Sequence, residues 1–328
     1  MKAIQHIGYG EISEIIKFSE IEKPTINKDE VLIETFAASV NPLGIKVLKG
    51  KWKTKKNYTL PATMGYDVSG KIVAIGERVT GFKIGDDVYT YHDKQGAFAE
   101  YVAINQDNIS LKPKNLNFEE AASLPLVSLT ALQALKRGQL KSGDKILIHA
   151  GSGGVGSIAI QLAKAQGAYV YTTTSTKNVE WIKALGADRV IDYKTEDYRT
   201  IVKDADMVLD PLGDPYTEDA FKVIKKGGKV ITLVGPPDEE TAKNMDANQD
   251  DLKQKRRKIT EQMELKSASY SLVILKANAK QLDEITQLVE AHKIQPVIDK
   301  VFPFKDALNA VLHVTTGRTK GKVVIKIK

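Results

Sequence analysis

Ile146-Leu147-Ile148-His149-Ala150-Gly151-Ser152-Gly153-Gly154-Val155-Gly156 is the stretch that decides how this chain is read. Three apolar strand formers run into G-x-G-x-x-G at Gly151, Gly153 and Gly156. A helical pattern follows in Ser157-Ile158-Ala159-Ile160-Gln161-Leu162-Ala163-Lys164. Strand, glycine turn and helix in that order form the context in which the pattern binds a dinucleotide. On this reading Gly151 permits the tight turn, Gly153 lets the backbone approach a pyrophosphate, and Gly156 lets helix and strand pack closely. Ser152, Gly154 and Val155 complete the loop, and the unpaired N–H groups and dipole at the helix start favour phosphate charge. A rival reading takes Ala150-x-Ser152-x-Gly154 as a hydrolase nucleophile elbow, with Ser152 as nucleophile and His292 or His313 completing the order Ser–acid–His. Against it, the elbow's first glycine is Ala150 and Gly156 goes unexplained.

Downstream of the loop, strand-like and helix-like segments alternate. Strands are predicted at Lys145–Ala150, Ala168–Thr174, Arg189–Tyr193, Asp206–Asp210, Lys229–Val234 and Tyr270–Leu275. Helices are predicted at Val155–Gln166, Val179–Leu185 and Tyr216–Lys225. Such alternation predicts an α/β fold, a doubly wound parallel sheet with helices on both faces. Upstream, short strand-like runs such as Val31–Ala37, Asp67–Ile75 and Asp87–Tyr91 are punctuated by Gly76, Gly81 and Gly85, which predicts a β-rich barrel or sandwich. After it come two helical patterns, Lys280–His292 and Phe304–Val314, and a final strand at Gly321–Ile327. Pro236–Lys266 is dense in charge and includes Lys253-Gln254-Lys255-Arg256-Arg257-Lys258; it reads as a solvated helix or loop, with a lid or polyanion-binding patch as the sharper alternative.

The end of the second predicted strand bears on the choice of nucleotide. An NAD site places a carboxylate there to bond the ribose 2′-OH. Here the run is Tyr171-Thr172-Thr173-Thr174-Ser175-Thr176-Lys177, without an acid. Hydroxyls and a lysine suit a 2′-phosphate, so Thr174, Ser175 and Lys177 are candidate contacts and NADPH is the expected cofactor.

Composition narrows the chemistry. The 328 residues contain no cysteine, which excludes disulfides, a thiol nucleophile and Cys-held zinc or iron–sulfur clusters. A formal charge of +7 is mild for this length. No apolar run approaches the ~20 residues of a membrane span, and the first residues lack the apolar centre of a secretory signal, so a cytoplasmic protein is expected.

Taken together, these motifs resemble the zinc-free quinone oxidoreductase branch of the medium-chain dehydrogenase/reductase superfamily. The resemblance is carried by Val40-Asn41-Pro42, by Gly65–Gly76 and Val79–Tyr89, and by Gly96-Ala97-Phe98-Ala99-Glu100-Tyr101-Val102. Leu129-Thr130-Ala131, the glycine loop, Leu185-Gly186-Ala187-Asp188 and Gly317–Val324 extend it over nearly the whole chain. It implies a GroES-like catalytic domain at 1–124, completed by 279–328, and a Rossmann-type domain at 125–278, with nicotinamide and substrate in a cleft between them. It further implies that Asn41 and Thr130 sit by the nicotinamide, that Ser175, Lys177 and Tyr193 hold the 2′-phosphate, and that Val234 and Gly235 line the nicotinamide side. A homodimer through strand 270–275 is also implied. The sequence departs from the family's N-P-x-D-x-x-x-R-x-G: Gly44 and Leu48 replace its Asp and Arg, so a polar pair is missing from the expected substrate mouth.

The resulting expectation is metal-free hydride transfer from NADPH to a small electrophile, a quinone or an α,β-unsaturated carbonyl. Tyr66, Tyr58 and Lys46 are candidate proton sources. Two alternatives stand beside it. One is a nucleotide-binding protein that contacts RNA through Lys51-Trp52-Lys53-Thr54-Lys55-Lys56 and the 253–258 run, although nucleic acid is not the expected partner. The other is a zinc alcohol dehydrogenase, against which the family's Gly-His-Glu ligand motif reads Gly65-Tyr66-Asp67.

Overall fold

A computed structural model describes residues 1–50, 59–243 and 248–328. The basic run at 51–56 and Tyr58 lie outside the described residues. The chain divides into two compact units, Met1–Leu129 with Lys276–Lys328, and Thr130–Leu275.

The first unit opens with eight strands: β1 (Lys2–His6), β2 (Ile16–Glu20), β3 (Glu30–Val40), β4 (Ala62–Thr63), β5 (Asp67–Ile75), β6 (Asp87–Tyr91), β7 (Tyr101–Asn105) and β8 (Ile109–Leu111). The second unit carries β9 (Lys145–Ile148), β10 (Tyr169–Thr174), β11 (Arg189–Asp192), β12 (Ala205–Asp210), β13 (Ile224–Thr232) and β14 (Ser269–Leu272). The chain then returns to the first unit with β15 (Ile298–Pro303) and β16 (Lys322–Lys326).

In the first unit β16 pairs antiparallel with β3, setting Val323 opposite Val40 and Val324 opposite Ser39. The last strand thus completes a sheet ordered β15-β16-β3-β5-β6-β8, with β7 also on β3. Two register shifts bend β3 against β5. Such bulges increase twist and let a sheet curl around one core. That core includes Ile33, Val68, Ile72, Val88, Phe98 and Ile104, and the helix Ala307–Thr315 adds Val311.

The second unit is a six-stranded sheet ordered β11-β10-β9-β12-β13-β14, parallel at every pairing. Ile146, Leu147 and Ile148 are fully buried at its centre, as a strand covered on both faces requires. The order reverses between β9 and β12, the place where open α/β sheets bind ligands beyond the strand ends.

Three expectations shift. The helix predicted to reach Lys225 stops at Val223, and β13 starts at Ile224. Lys225-Lys226-Gly227-Gly228 has little reason to prolong a helix, and Gly227 takes φ +76°. The last strand of this sheet is Ser269–Leu272 rather than Tyr270–Leu275. The charged 236–266 segment contains the helices Glu239–Lys243 and Gln249–Lys266. The longer one is capped by the Asn248 side chain, which accepts from the N–H groups of Asp250 and Asp251, and it buries Leu252 and Ile259 on one face. Its basic run is a surface feature: Lys258 pairs with Glu218 at 3.2 Å and Arg256 donates to the Pro237 carbonyl at 3.3 Å. Among the described residues, no helix is long and apolar enough to cross a membrane.

Candidate active site

In the second unit, the turn after β9 enters the helix Gly154–Ala165 with Gly153 at its N-cap position and no side chain capping it. The first N–H groups of a helix have no partner within it, so this start faces outward with donors available to an anion. The glycines divide the work differently from expectation. The left-handed residue of the turn is Ala150, at φ +52°, not Gly151. Gly151 is required for a different reason: a Cβ there would stand 2.2 Å from Thr172 Oγ1. At Gly156 a Cβ would stand 2.3 Å from the Ala150 carbonyl oxygen, so the close approach is to the turn rather than to the strand. Gly153 has room, with that same oxygen 3.4 Å away. The protein itself therefore does not need glycine at 153, whereas a close ligand would. The hydrolase reading fails on the same geometry. A nucleophile elbow places its serine at the strained turn position, and here that position is Ala150. His313 belongs to the first unit, where its Nε2 lies 2.6 Å from Asp299 Oδ2.

Past β10, Ser175 is nearly buried and Lys177 exposed on a short 3-10 turn. Asn178 Nδ2 donates to Ser175 Oγ at 3.1 Å, and the Tyr193 N–H donates to the Thr174 carbonyl at 3.1 Å, which brings Tyr193, an exposed residue, beside Thr174. Thr174 Oγ1 is buried without a hydrogen-bond partner. The uncapped helix start, the room at Gly153 and this orphaned hydroxyl fit a phosphorylated dinucleotide. Asp192, opposite Thr174 in register, carries a carboxylate held below its usual range, chiefly by a hydrogen bond from Thr176. Thr130 lies in the helix Pro125–Arg137, 7% exposed. After β13, the N–H groups of Val234 and Gly235 donate to Thr232 Oγ1, and a Cβ on Gly235 would meet Tyr270 Oη at 2.4 Å.

Two buried groups beneath these strand ends carried no sequence signal. Asp210, at the end of β12, accepts from the N–H groups of Leu212 and Gly213 and from Thr217 Oγ1, pinning the following turn. His149 is fully buried between Tyr198 and Tyr216, with Nδ1 against Thr173 Oγ1. Burial pushes its pKa down to about 4, against a smaller opposing pull from Asp219. With the folded value below the unfolded one, the unfolded chain binds more protons between about pH 6.5 and 4, so acid in that window favours unfolding. We expect the thermal midpoint to fall across that window, and the fall to shrink in His149→Gln, as read by calorimetry at fixed ionic strength.

The first unit holds a small, open recess lined by Ser39, Val40, Asn41, Gly44, Ile45, Leu48, Met64, Gly65, Tyr66, Gln95, Phe98 and Val311. Gly44 and Leu48 stand in its wall, so the missing acid–base pair leaves that wall apolar. Asn41 lines the recess, but its amide is turned to the protein. Nδ2 donates to Asp67 Oδ2 at 2.8 Å and to the Ser39 carbonyl at 3.4 Å, while Oδ1 accepts from Lys322 Nζ. Asn41 therefore holds the wall, and its amide donors are already engaged. Behind it Asp67, fully buried, also accepts from Ser39 Oγ at 2.6 Å and from the Leu126 N–H at 2.8 Å. Lys322, 5% exposed, reaches Asp67 Oδ2 at 3.4 Å and the Val40 carbonyl at 3.0 Å. Burial pushes the Lys322 pKa down, opposed by the Asp67 carboxylate.

Tyr66 forms the polar corner of the recess, its hydroxyl accepting from Gln95 Nε2 at 2.8 Å. Sequence reasoning missed Gln95 and Lys322 as well as Asp210. Lys46 is not part of the lining. The zinc reading meets Tyr66 and Asp67 committed to these contacts, and among the described residues no three His, Asp or Glu side chains gather to hold a metal.

Comparison with known proteins agrees with this architecture. The family model described as the alcohol dehydrogenase GroES-like domain matches residues 27–114, and the zinc-binding dehydrogenase model matches 185–325. A 2-methylene-furan-3-one reductase of Solanum lycopersicum is 36% identical across 99% of this chain and 79% of its own length. A chloroplastic NADPH-dependent alkenal/one oxidoreductase of Arabidopsis thaliana is 35% identical over the same shares. The solved quinone oxidoreductase from Coxiella burnetii superposes with a TM-score of 0.86 at 33% identity, covering 100% of this chain and 99% of that one. The chain belongs to the quinone oxidoreductase branch of the medium-chain dehydrogenase/reductase superfamily.

Proposed function

We propose that this protein is an NADPH-dependent reductase of quinones and α,β-unsaturated carbonyls, with the first unit as catalytic domain and the second as nucleotide-binding domain. The observation that carries the reading is the recess. Its walls are mostly apolar, and Tyr66 is the one described lining residue with an ionisable proton. Such a site suits a flat neutral electrophile that needs little beyond placement and one hydrogen bond. The names of the relatives in Solanum and Arabidopsis support the same substrate class.

NADPH, when bound, supplies the hydride. The helix start at Gly153–Gly156 would hold its pyrophosphate, and Thr174, Ser175, Lys177 and Tyr193 the 2′-phosphate, with Thr130, Val234 and Gly235 towards the nicotinamide. Hydride delivered to the β-carbon of an enone would push the C=C pair into a Cα–carbonyl double bond and the carbonyl pair onto its oxygen, to which the Tyr66 hydroxyl would donate a hydrogen bond. The Gln95 N–H on the Tyr66 oxygen stabilises that phenol as negative charge shifts onto it. A proton from solvent at the α-carbon would complete the saturated ketone. Asn41, fixed by Lys322 and Asp67, keeps the wall in place. We further take a homodimer through the outer edge of β14, which has one described strand neighbour, β13.

Purified protein is to be assayed with NADPH against quinones, 2-alkenals and enones, and against simple alcohols in reverse with NADP+. Quinone or enone turnover is expected, and alcohol oxidation without it would overturn the reading. The cofactor assignment makes its own prediction. Ser175→Ala with Lys177→Ala removes charge-assisted hydrogen bonds worth roughly 1.5–3 kcal/mol, so KM for NADPH should rise at least about tenfold. KM for NADH should move far less. Parallel loss with both cofactors would place the 2′-phosphate elsewhere.

A further inference from the structure

Gln95 is built at a cost that the fold alone does not explain. It is 6% exposed and sits in the left-handed backbone region at φ +67°, strained for a non-glycine residue. Its amide lines the recess: Nε2 is spent on Tyr66, and Oε1 is buried with no hydrogen-bond partner. A buried amide oxygen left unpaired is unfavourable, and strain and unpaired polar atoms persist together mainly where a ligand completes the site. Glycine at this position would relieve the backbone and leucine would leave no oxygen unpaired; glutamine does neither.

We propose that Gln95 determines substrate specificity by accepting a hydrogen bond from the substrate, and that the preferred electrophile is an enone carrying a hydroxyl beside its carbonyl. The inference rests on the enone-reductase reading above and narrows it. The position of the hydroxyl follows from the geometry. Gln95 and Tyr66 are themselves hydrogen-bonded at 2.8 Å, so an acceptor placed at Tyr66 and a donor placed at Gln95 must lie within a few bonds of each other on the ligand. An α-hydroxy ketone has that spacing. The torsion between Cγ and the carboxamide of a glutamine is broad, so Oε1 can make small adjustments towards the hydroxyl while Nε2 stays near Tyr66. A site with an unpaired acceptor discriminates against the ligand that lacks the donor, because that ligand leaves the acceptor buried and unmet.

The test uses three matched compounds with NADPH: vinyl hydroxymethyl ketone, its methyl ether, and ethyl vinyl ketone. The ether shares the inductive activation of the alcohol and lacks its donor, so it separates recognition from intrinsic reactivity. We expect kcat/KM for the hydroxy ketone to exceed that for both others by about tenfold or more. In Gln95→Asn, which suits the left-handed backbone but withdraws the amide by one carbon, the ratio should fall to within about twofold. Gln95→Met serves as a second variant, and Gln95→Glu, which keeps an acceptor, should retain the preference. Calorimetry of the saturated hydroxy ketone and its deoxy analogue, with NADP+ present, gives a readout without turnover and should show the same ratio. A wild-type ratio near one, a ratio unchanged in Gln95→Asn, or a preference for the ether overturns the proposal while leaving the enone-reductase reading standing. Absence of NADPH oxidation with all three compounds, and with quinones, overturns both.

Discussion

Lys322→Met should destabilise the protein by roughly 3–5 kcal/mol, the range found when one partner of a buried ion pair is removed. The expectation comes from what surrounds the ammonium. Three acceptors ring Nζ: the Val40 carbonyl, Asn41 Oδ1 and Asp67 Oδ2. Three donors on a lysine ammonium match them; a methionine offers none. Without the ammonium, the Asp67 carboxylate stays fully buried with only neutral donors from Ser39, Asn41 and Leu126. Denaturant midpoints would read the loss. Lys322→Met combined with Asp67→Asn should recover part of it, because the stranded charge is gone. Strict additivity of the two single variants would show that the pair is not coupled. Lys28 and Glu77, 61% and 77% exposed at 3.1 Å, form the contrasting surface pair, and Lys28→Met should change the midpoint little. The effect should also reach the recess, since Asn41 loses the donor that fixes its oxygen.

What could be read in the sequence was local. Ile146-Leu147-Ile148 is continuous and apolar because both faces of the central strand are covered, and the glycine pattern after it marks the start of a helix wherever it occurs in such a context. The strands Asp67–Ile75 and Asp87–Tyr91 were legible from β-branched and aromatic residues between glycine turns. What escaped was set by partners distant in the chain. Lys322 meets Asn41 and Asp67 across more than 250 residues, and Gln95 meets Tyr66 across 29 residues from a left-handed position that is not itself a glycine. Asp210 looks like any strand-end acid until Thr217 and the following N–H groups close around it. Even within the glycine loop, the steric duties fall differently from those the pattern assigns. The turn falls on Ala150, and Gly151 yields to Thr172 on the neighbouring strand, a constraint that spacing along one strand cannot express.

That division of duties separates two substitutions which the motif alone would treat alike. In Gly156→Ala the new methyl would lie 2.3 Å from the Ala150 carbonyl oxygen and 2.9 Å from the Ala150 carbonyl carbon and Gly151 Cα. All three are backbone atoms, so no side chain can swing away, and the helix start must retreat from the turn. Overpacking of this kind costs about 1–3 kcal/mol, and it also displaces the N–H groups at the helix start. Gly156→Ala should therefore lose stability and raise KM for NADPH by about a hundredfold, equivalent to roughly 2.8 kcal/mol. In Gly153→Ala the nearest atom is 3.4 Å away, a contact the fold can accommodate with a small adjustment. Its thermal midpoint should stay close to that of the parent, while KM for NADPH rises about tenfold or more because the methyl occupies the approach of the pyrophosphate. Differential scanning calorimetry without cofactor and KM for NADPH would separate the two effects. A Gly153→Ala protein that binds NADPH as the parent does would mean that the phosphates do not come close at residue 153, and the cradle would then have to be sought further along the helix start.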